Sequence, residues 1–262
     1  MINRRDFVNM AAGAAGAAAM GIVPEDDPAI AVERVELRRP DVAMPMYCAR
    51  PRGAKAATPG VTVVMHAWGV DESIREFVRR LAKAGFSAVA PDLYARLHAP
   101  SGDGQDDFSV FSPYVRQLMA SPEQVDGDVR AAGLWLKQAH PRAKIAVSGF
   151  CMGGIIALRQ ALTNADVFSA DAVWYGNVKE IDASKIGMPI VGSYGARDAS
   201  IPPDSVEAFR KALRVPNDIV VYPDAGHAFF DNHRKSYVAD AAADSWKRAS
   251  AFLTKYLSVQ GE

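Results

Sequence analysis

Apolar residues in this chain fall into two kinds of run. Short segments that are apolar almost throughout, such as Val61-Thr62-Val63-Val64-Met65, alternate with longer ones where apolar residues recur every three or four positions, such as Ile74, Phe77, Val78 and Leu81. A continuous apolar run suits a strand buried on both faces, and the three-four spacing suits an amphipathic helix. This pattern predicts strands at 32–37, 43–49, 61–66, 87–90, 144–148, 172–175, 189–193 and 218–222. It predicts helices around 74–81, with Gly85 as a stop, and over 122–138, 152–162, 203–213 and 237–257, the last carrying Trp246, Phe252, Leu253 and Tyr256. The Gly- and Asp-rich stretch 98–107 reads as a mobile surface loop near the mouth of a site. Strand–helix alternation with right-handed crossovers predicts an α/β fold: a mostly parallel twisted sheet of about eight strands with helices on both faces. Ligands on such sheets sit beyond the carboxyl ends of the strands, so chemistry is sought in the loop after each strand.

The N-terminus departs from this pattern. Asn3, Arg4, Arg5, Asp6, Phe7 and Val8 precede the stretch 10–23, which is almost wholly Ala and Gly. Paired arginines before a short, mildly apolar run and small residues read as a twin-arginine export signal. The run is shorter than the roughly 20 residues a bilayer span needs, so a removable signal is expected rather than an anchor. Residues 1–30 are therefore read as signal and short linker and 31–262 as one domain, with cleavage between 19 and 31. The expected partner is the twin-arginine export machinery. The expected location is periplasmic or secreted, with no stable membrane insertion after cleavage.

Composition agrees with one soluble domain of 262 residues: 49% hydrophobic and 23% charged. The 30 basic and 30 acidic side chains are interspersed, which gives no basic surface for nucleic acid. Cys48 and Cys151 are the only cysteines, too few for a disulfide framework. His98, His140 and His233 show no metal-ligand spacing, and neither metal nor organic cofactor is expected.

Cys151 carries the strongest chemical signal. It sits in Gly149-Phe150-Cys151-Met152-Gly153-Gly154, between a predicted strand and a predicted helix. Glycines two before and two after leave room for strand and helix to close around a sharp turn that exposes the central side chain. A helix N-terminus behind that side chain favours a thiolate. Two further strands end in titratable groups: Tyr194-Gly195-Ala196-Arg197-Asp198, and Pro223-Asp224-Ala225-Gly226-His227. Nucleophile, acid and histidine in that chain order is the arrangement of α/β-hydrolases. Cys151 reads as nucleophile, His227 as its base and Asp198 as the group that orients the imidazole.

Together with Pro91-Asp92-Leu93-Tyr94-Ala95-Arg96, these segments resemble the dienelactone hydrolase family over about residues 34–257. The resemblance implies an α/β-hydrolase fold and hydrolysis of a lactone or small carboxylic ester, carboxymethylenebutenolidase-like, through a thioester on Cys151. It also implies an oxyanion hole from the backbone N–H groups of Met152 and Ala67, and a substrate-binding role for Arg96 as holder of a carboxylate. His66, Trp68 and Phe229 complete the expected substrate-binding set. Two positions depart from the family. His66 stands where the family has a glutamate, and reads as a second proton acceptor or, preferably, a polar wall residue. Asp231 stands where it has a second carboxylate-binding arginine, which disfavours an anionic substrate unless Arg234 swings in. Phe108, Phe111, Tyr114 and Phe230 are taken as core by default. The alternatives to a hydrolase are a non-catalytic ligand-binding protein on this scaffold, or a thiol sensor in which Cys151 pairs with Cys48.

Overall fold

The computed structural model describes residues 20–258, so the export signal expected near the N-terminus falls largely outside the described residues. Eight strands form one sheet: β1 (Ile30–Arg38), β2 (Ala43–Pro51), β3 (Gly60–Val64), β4 (Ser87–Pro91), β5 (Ile145–Phe150), β6 (Phe168–Trp174), β7 (Ile190–Gly195) and β8 (Asn217–Tyr222). Their spatial order is β1-β2-β4-β3-β5-β6-β7-β8. The β1–β2 and β2–β4 pairs are antiparallel and the rest parallel. Strands β3, β4 and β5 are buried along their whole length, which is why their sequences do not alternate.

Helices α1 (Glu72–Lys83), α3 (Pro122–Ala139), α4 (Met152–Thr163), α5 (Pro203–Ala212) and α6 (Ala239–Leu257) coincide with the predicted ones to within a few residues. A sixth, α2 (Phe108–Met119), was not expected; Asp107 caps it by accepting from Ser109 N, and Pro113 lies within it. Helices α1 and α6 share one face of the sheet, where Phe77 meets Trp246 at 5.7 Å between ring centroids. Helices α3 and α4 cover the other face.

Helix α1 buries more than its apolar stripe. Glu76, Arg79 and Arg80 are buried as well, because residues 21–23 lie across them. Arg79 Nε donates to Val23 O at 2.6 Å, Arg80 donates to Gly21 O at 2.8 Å, and Val23 N donates to Glu76 Oε1 at 3.3 Å. The packed body therefore starts ten residues before the domain boundary at residue 31.

The stretch 98–107 is tied down rather than free. Asp103 accepts from Glu72 N and twice from Arg75, and Gln105 O accepts from Arg234. Among the described residues no helix is long and apolar enough to cross a membrane.

Candidate active site

The carboxyl ends of β3, β5, β6, β7 and β8 converge on Cys151. Strand β5 runs directly into it, and its backbone has φ 55° and ψ −117°, a strained conformation for a residue with a Cβ. The turn is held from both sides. Cys151 N donates to Trp174 O at 3.1 Å, and Cys151 O accepts from Gly154 N at 3.0 Å to begin α4. A Cβ on Gly149 would lie 2.1 Å from Gly153 O, and one on Gly153 would lie 2.3 Å from Val64 O. The two glycines are thus what allows β3, β5 and α4 to meet so closely. Two more non-glycine residues with positive φ, Tyr175 (40°) and Ala228 (60°), flank the same place.

Asp198 and His227 arrive on the loops after β7 and β8, which are bound to each other by Arg197 N donating to Ala225 O at 2.9 Å. His227 Nδ1 lies 2.6 Å from Asp198 Oδ2, which leaves Nε2 for the neighbouring Cys151 side chain. Burial works against a charged ring here, but the hydrogen bonds and negative charges of Asp198 and Cys151 prevail and push His227 up to about 10. Asp198 is almost wholly buried, which by itself raises a carboxyl; hydrogen bonds from His227 and from both N and Oγ of Ser200 hold it below its ordinary range instead. Asp198 is therefore hydrogen-bonded to His227, with Cys151 close enough to raise the ring.

The two expected oxyanion donors lie on adjoining loops. Met152 opens α4, so its N–H belongs to the first helical turn, and Ala67 follows the end of β3. Tyr94 links the loops, donating from its hydroxyl to Ala67 O at 2.9 Å and standing 3.9 Å from Met152 Sδ. Burial raises the Tyr94 phenol, and the nearby charges of Cys151 and Asp92 raise it further. Tyr94 is a positioning residue that sequence reasoning passed over, although it lies in a segment already singled out.

His66 is neither a bare wall residue nor a free base. Its Nδ1 accepts the Trp68 N–H at 3.1 Å, so the proton sits on Nε2, which faces Ser73 Oγ at 2.9 Å and Asp71 Oδ1 at 3.1 Å. The ring thereby holds the turn 66–69, reinforced by Gly69 N donating to His66 O, on which Ala67 is carried. Asp71 in turn caps α1 through Ile74 N.

Two of the expected substrate contacts need correction. Arg96 is clamped by carboxylates: Nε and Nη2 donate to Asp41 at 2.7 and 2.8 Å, and Nη1 to Asp128 at 2.5 Å. Burial of Asp128 requires a cationic partner, and Arg39 and Arg96 both serve it. Phe229 is fully buried, with its ring between those of Tyr175 and Tyr222 at 5.5 and 5.3 Å. It supports Tyr175 rather than facing a substrate. Trp68, next to Ala67, stands edge-on to Phe108 and Phe111, with the Arg234 guanidinium 4.2 Å above its ring.

Tyr175 is the other residue the sequence did not reveal. Its ring stands 5.0 Å from that of His227. Burial drives its phenol well above the ordinary range, the charges of Asp231 and Cys151 add to this, and Arg234 opposes it. With His66, Ser73 and Asp231 it lines a cavity of about 20 Å³.

The thiol-sensor reading loses its partner. Cys48 is a free, buried thiol on β2, with β4 and β3 intervening before β5. Three inter-strand spacings of roughly 4.8 Å each far exceed the span of a disulfide. Burial also pushes Cys48 up to about 12. No group of three or more His, Cys, Asp or Glu among the described residues is disposed to hold a metal ion.

Comparison with known proteins agrees with the fold. Residues 44–257 match the profile of the dienelactone hydrolase family. A protein of Escherichia coli K12, provisionally named carboxymethylenebutenolidase, is 37% identical over 260 residues, covering 94% of each chain. A protein of Salmonella typhimurium with the same provisional name is 38% identical, covering 83% of this chain and 85% of its own. Among solved structures, one provisionally called a dienelactone hydrolase, from Klebsiella pneumoniae, superposes with a TM-score of 0.76 at 33% identity. That match covers 87% of this chain and all of the other.

Proposed function

Since this chain belongs to the dienelactone hydrolase family and is a hydrolase of α/β-hydrolase fold, we propose that it cleaves a lactone or small carboxylic ester with Cys151 as nucleophile. The observation that carries the proposal is the strained turn at Cys151 beside a His227 ring that is hydrogen-bonded to Asp198. Asp198 and Cys151 push His227 up to about 10, so its ring takes the Cys151 thiol proton and then holds it, ready to act as an acid. The Cys151 sulfur attacks the carbonyl carbon, and the developing oxyanion is received by the N–H groups of Met152 and Ala67. As the bond to the alkoxy oxygen breaks, His227 Nε2 gives its proton to that oxygen, leaving a thioester and a free or tethered alcohol. Water then adds to the thioester carbonyl while His227 takes one of its protons. The carbon–sulfur bond breaks, the carboxylic acid departs, and Cys151 is restored. Asp198 keeps the ring oriented and its charge compensated throughout.

The test is intact-protein mass spectrometry during turnover of p-nitrophenyl acetate, in parallel with release of nitrophenol. Wild type is expected to gain the mass of one acetyl group on Cys151 and to show a burst of nitrophenol, and Cys151→Ala neither. Full activity in Cys151→Ala would sink the proposal.

The proposal extends to location. Arg4, Arg5 and the small-residue stretch after them support twin-arginine export, and the packing of residues 21–23 onto α1 supports a cut that leaves Gly21 in place. Small residues at Ala17 and Ala19 suit a cut before Met20, whereas a cut after Ala31 would remove the cover of Arg79. Protein recovered from the periplasm of an exporting host is expected to begin at Met20. Retention of residues 1–19, or a start at Val32, would refute this.

A further inference from the structure

Charged groups cluster at the cavity that Tyr175 lines next to His227. Arg234 lies over Trp68, and each nitrogen of its guanidinium is engaged. Nε donates to Asp231 Oδ2 at 3.0 Å, Nη2 to Asp71 Oδ2 at 3.3 Å, and Nη1 to Gln105 O at 3.0 Å and Asp106 Oδ1 at 3.3 Å. One cation therefore faces three carboxylates. Asp71 and Asp231 are buried, where charges are poorly screened. His66 and Ser73 also stand against Asp71, His66 through Nε2 at 3.1 Å and Ser73 by donating from Oγ at 2.9 Å. Asp231 lines the same cavity as Tyr175, whose ring stands 5.0 Å from that of His227. His227 is itself matched by Asp198 and Cys151. Arg96 has its own pair of acids in Asp41 and Asp128.

We infer that the site selects an uncharged acyl group, and that Asp231, together with Asp71, excludes substrates carrying a carboxylate near the scissile carbonyl. An incoming carboxylate meets surplus negative charge, and to bind Arg234 it must displace a carboxylate already bonded to it. A neutral acyl chain meets instead the ring of Trp68, with Phe108 and Phe111 behind it. This inference rests on the ester-hydrolase reading above and specifies its substrate.

Two esters with the same leaving group and chain length separate the charge from everything else: p-nitrophenyl hexanoate and the p-nitrophenyl monoester of adipic acid. Wild type at low ionic strength is expected to show kcat/KM about tenfold or more higher for the hexanoate. The gap is expected to narrow as salt is raised, through a gain on the adipate ester. Asp231→Asn keeps an acceptor for His233 N but removes one carboxylate, and the ratio is expected to move toward the adipate ester. Equal or faster turnover of the adipate ester by wild type at low salt overturns the inference and leaves the hydrolase reading standing. Turnover of neither ester by folded protein overturns the hydrolase reading and the inference with it. If Asp231→Asn does not fold, the salt series on wild type decides alone.

Discussion

Asparagine in place of Asp198 is expected to lower kcat for p-nitrophenyl acetate by about 10²- to 10⁴-fold, the range set by losing the orienting acid of such a triad, with little change in KM. Asp198 Oδ2 stands 2.6 Å from His227 Nδ1, and the carboxylate is one of the two groups that push His227 up to about 10. An amide supplies no charge and can present its own N–H to the ring, favouring the wrong tautomer. The alkaline limb of the pH profile, expected near pH 10 in wild type, should therefore move down toward the ordinary histidine value of 6.5. An alkaline limb that stays where it was would show that Asp198 does not set the charge of the ring.

The same pair makes a pH-dependent contribution to folding, with a sign that follows from the two shifts. His227 has its pKa raised by folding, so its contribution is complete below 6.5 and is lost as pH rises through about 10. Asp198 has its pKa lowered, so its contribution is complete above 3.8 and is lost as pH falls below that value. Both are present together between those limits, where Asp198→Asn should lower Tm most. The ring edge of His227 reaches solvent, which moderates the size of the effect.

Gly153→Ala is expected to cost ~3 kcal/mol or more of stability and to abolish activity, because the new methyl cannot be accommodated by side-chain movement. Its Cβ would lie 2.3 Å from Val64 O and 2.5 Å from Met65 O, both backbone atoms at the end of β3. Relief requires β3 and α4 to separate, which also moves Ala67 away from Met152. Gly127→Ala is the control. It lies within α3, its Cβ would find nothing nearer than Arg39 Nη2 at 3.5 Å, and it is expected to be neutral or to stabilise by up to about 1 kcal/mol. Thermal melts of the two variants check both expectations; a Gly153→Ala protein that melts like wild type would show that the turn is not as tightly closed as these contacts require.

What the sequence by itself determined is what depends on neighbouring residues. The buried strands announce themselves as unbroken apolar runs, the helices as three-four stripes, and the turn at Cys151 as a pair of glycines spaced to let backbone approach backbone. The loops carrying Asp198 and His227 were legible because each follows its strand within a few residues, and a parallel sheet brings such loops to one edge whatever the details of packing. Helix α2 was not legible, with Pro113 inside it and its apolar residues committed to Trp68 and Tyr94, far away in the chain. Only the tertiary structure decided which charges cancel. Arg96 finds Asp128, Arg79 finds Val23 O, and Arg234 finds Asp71, partners separated by tens of residues that no local pattern pairs. The same holds for Tyr175, Tyr94 and the tautomer of His66, since burial, hydrogen-bond direction and summed charge depend on what the whole fold encloses rather than on adjacent residues.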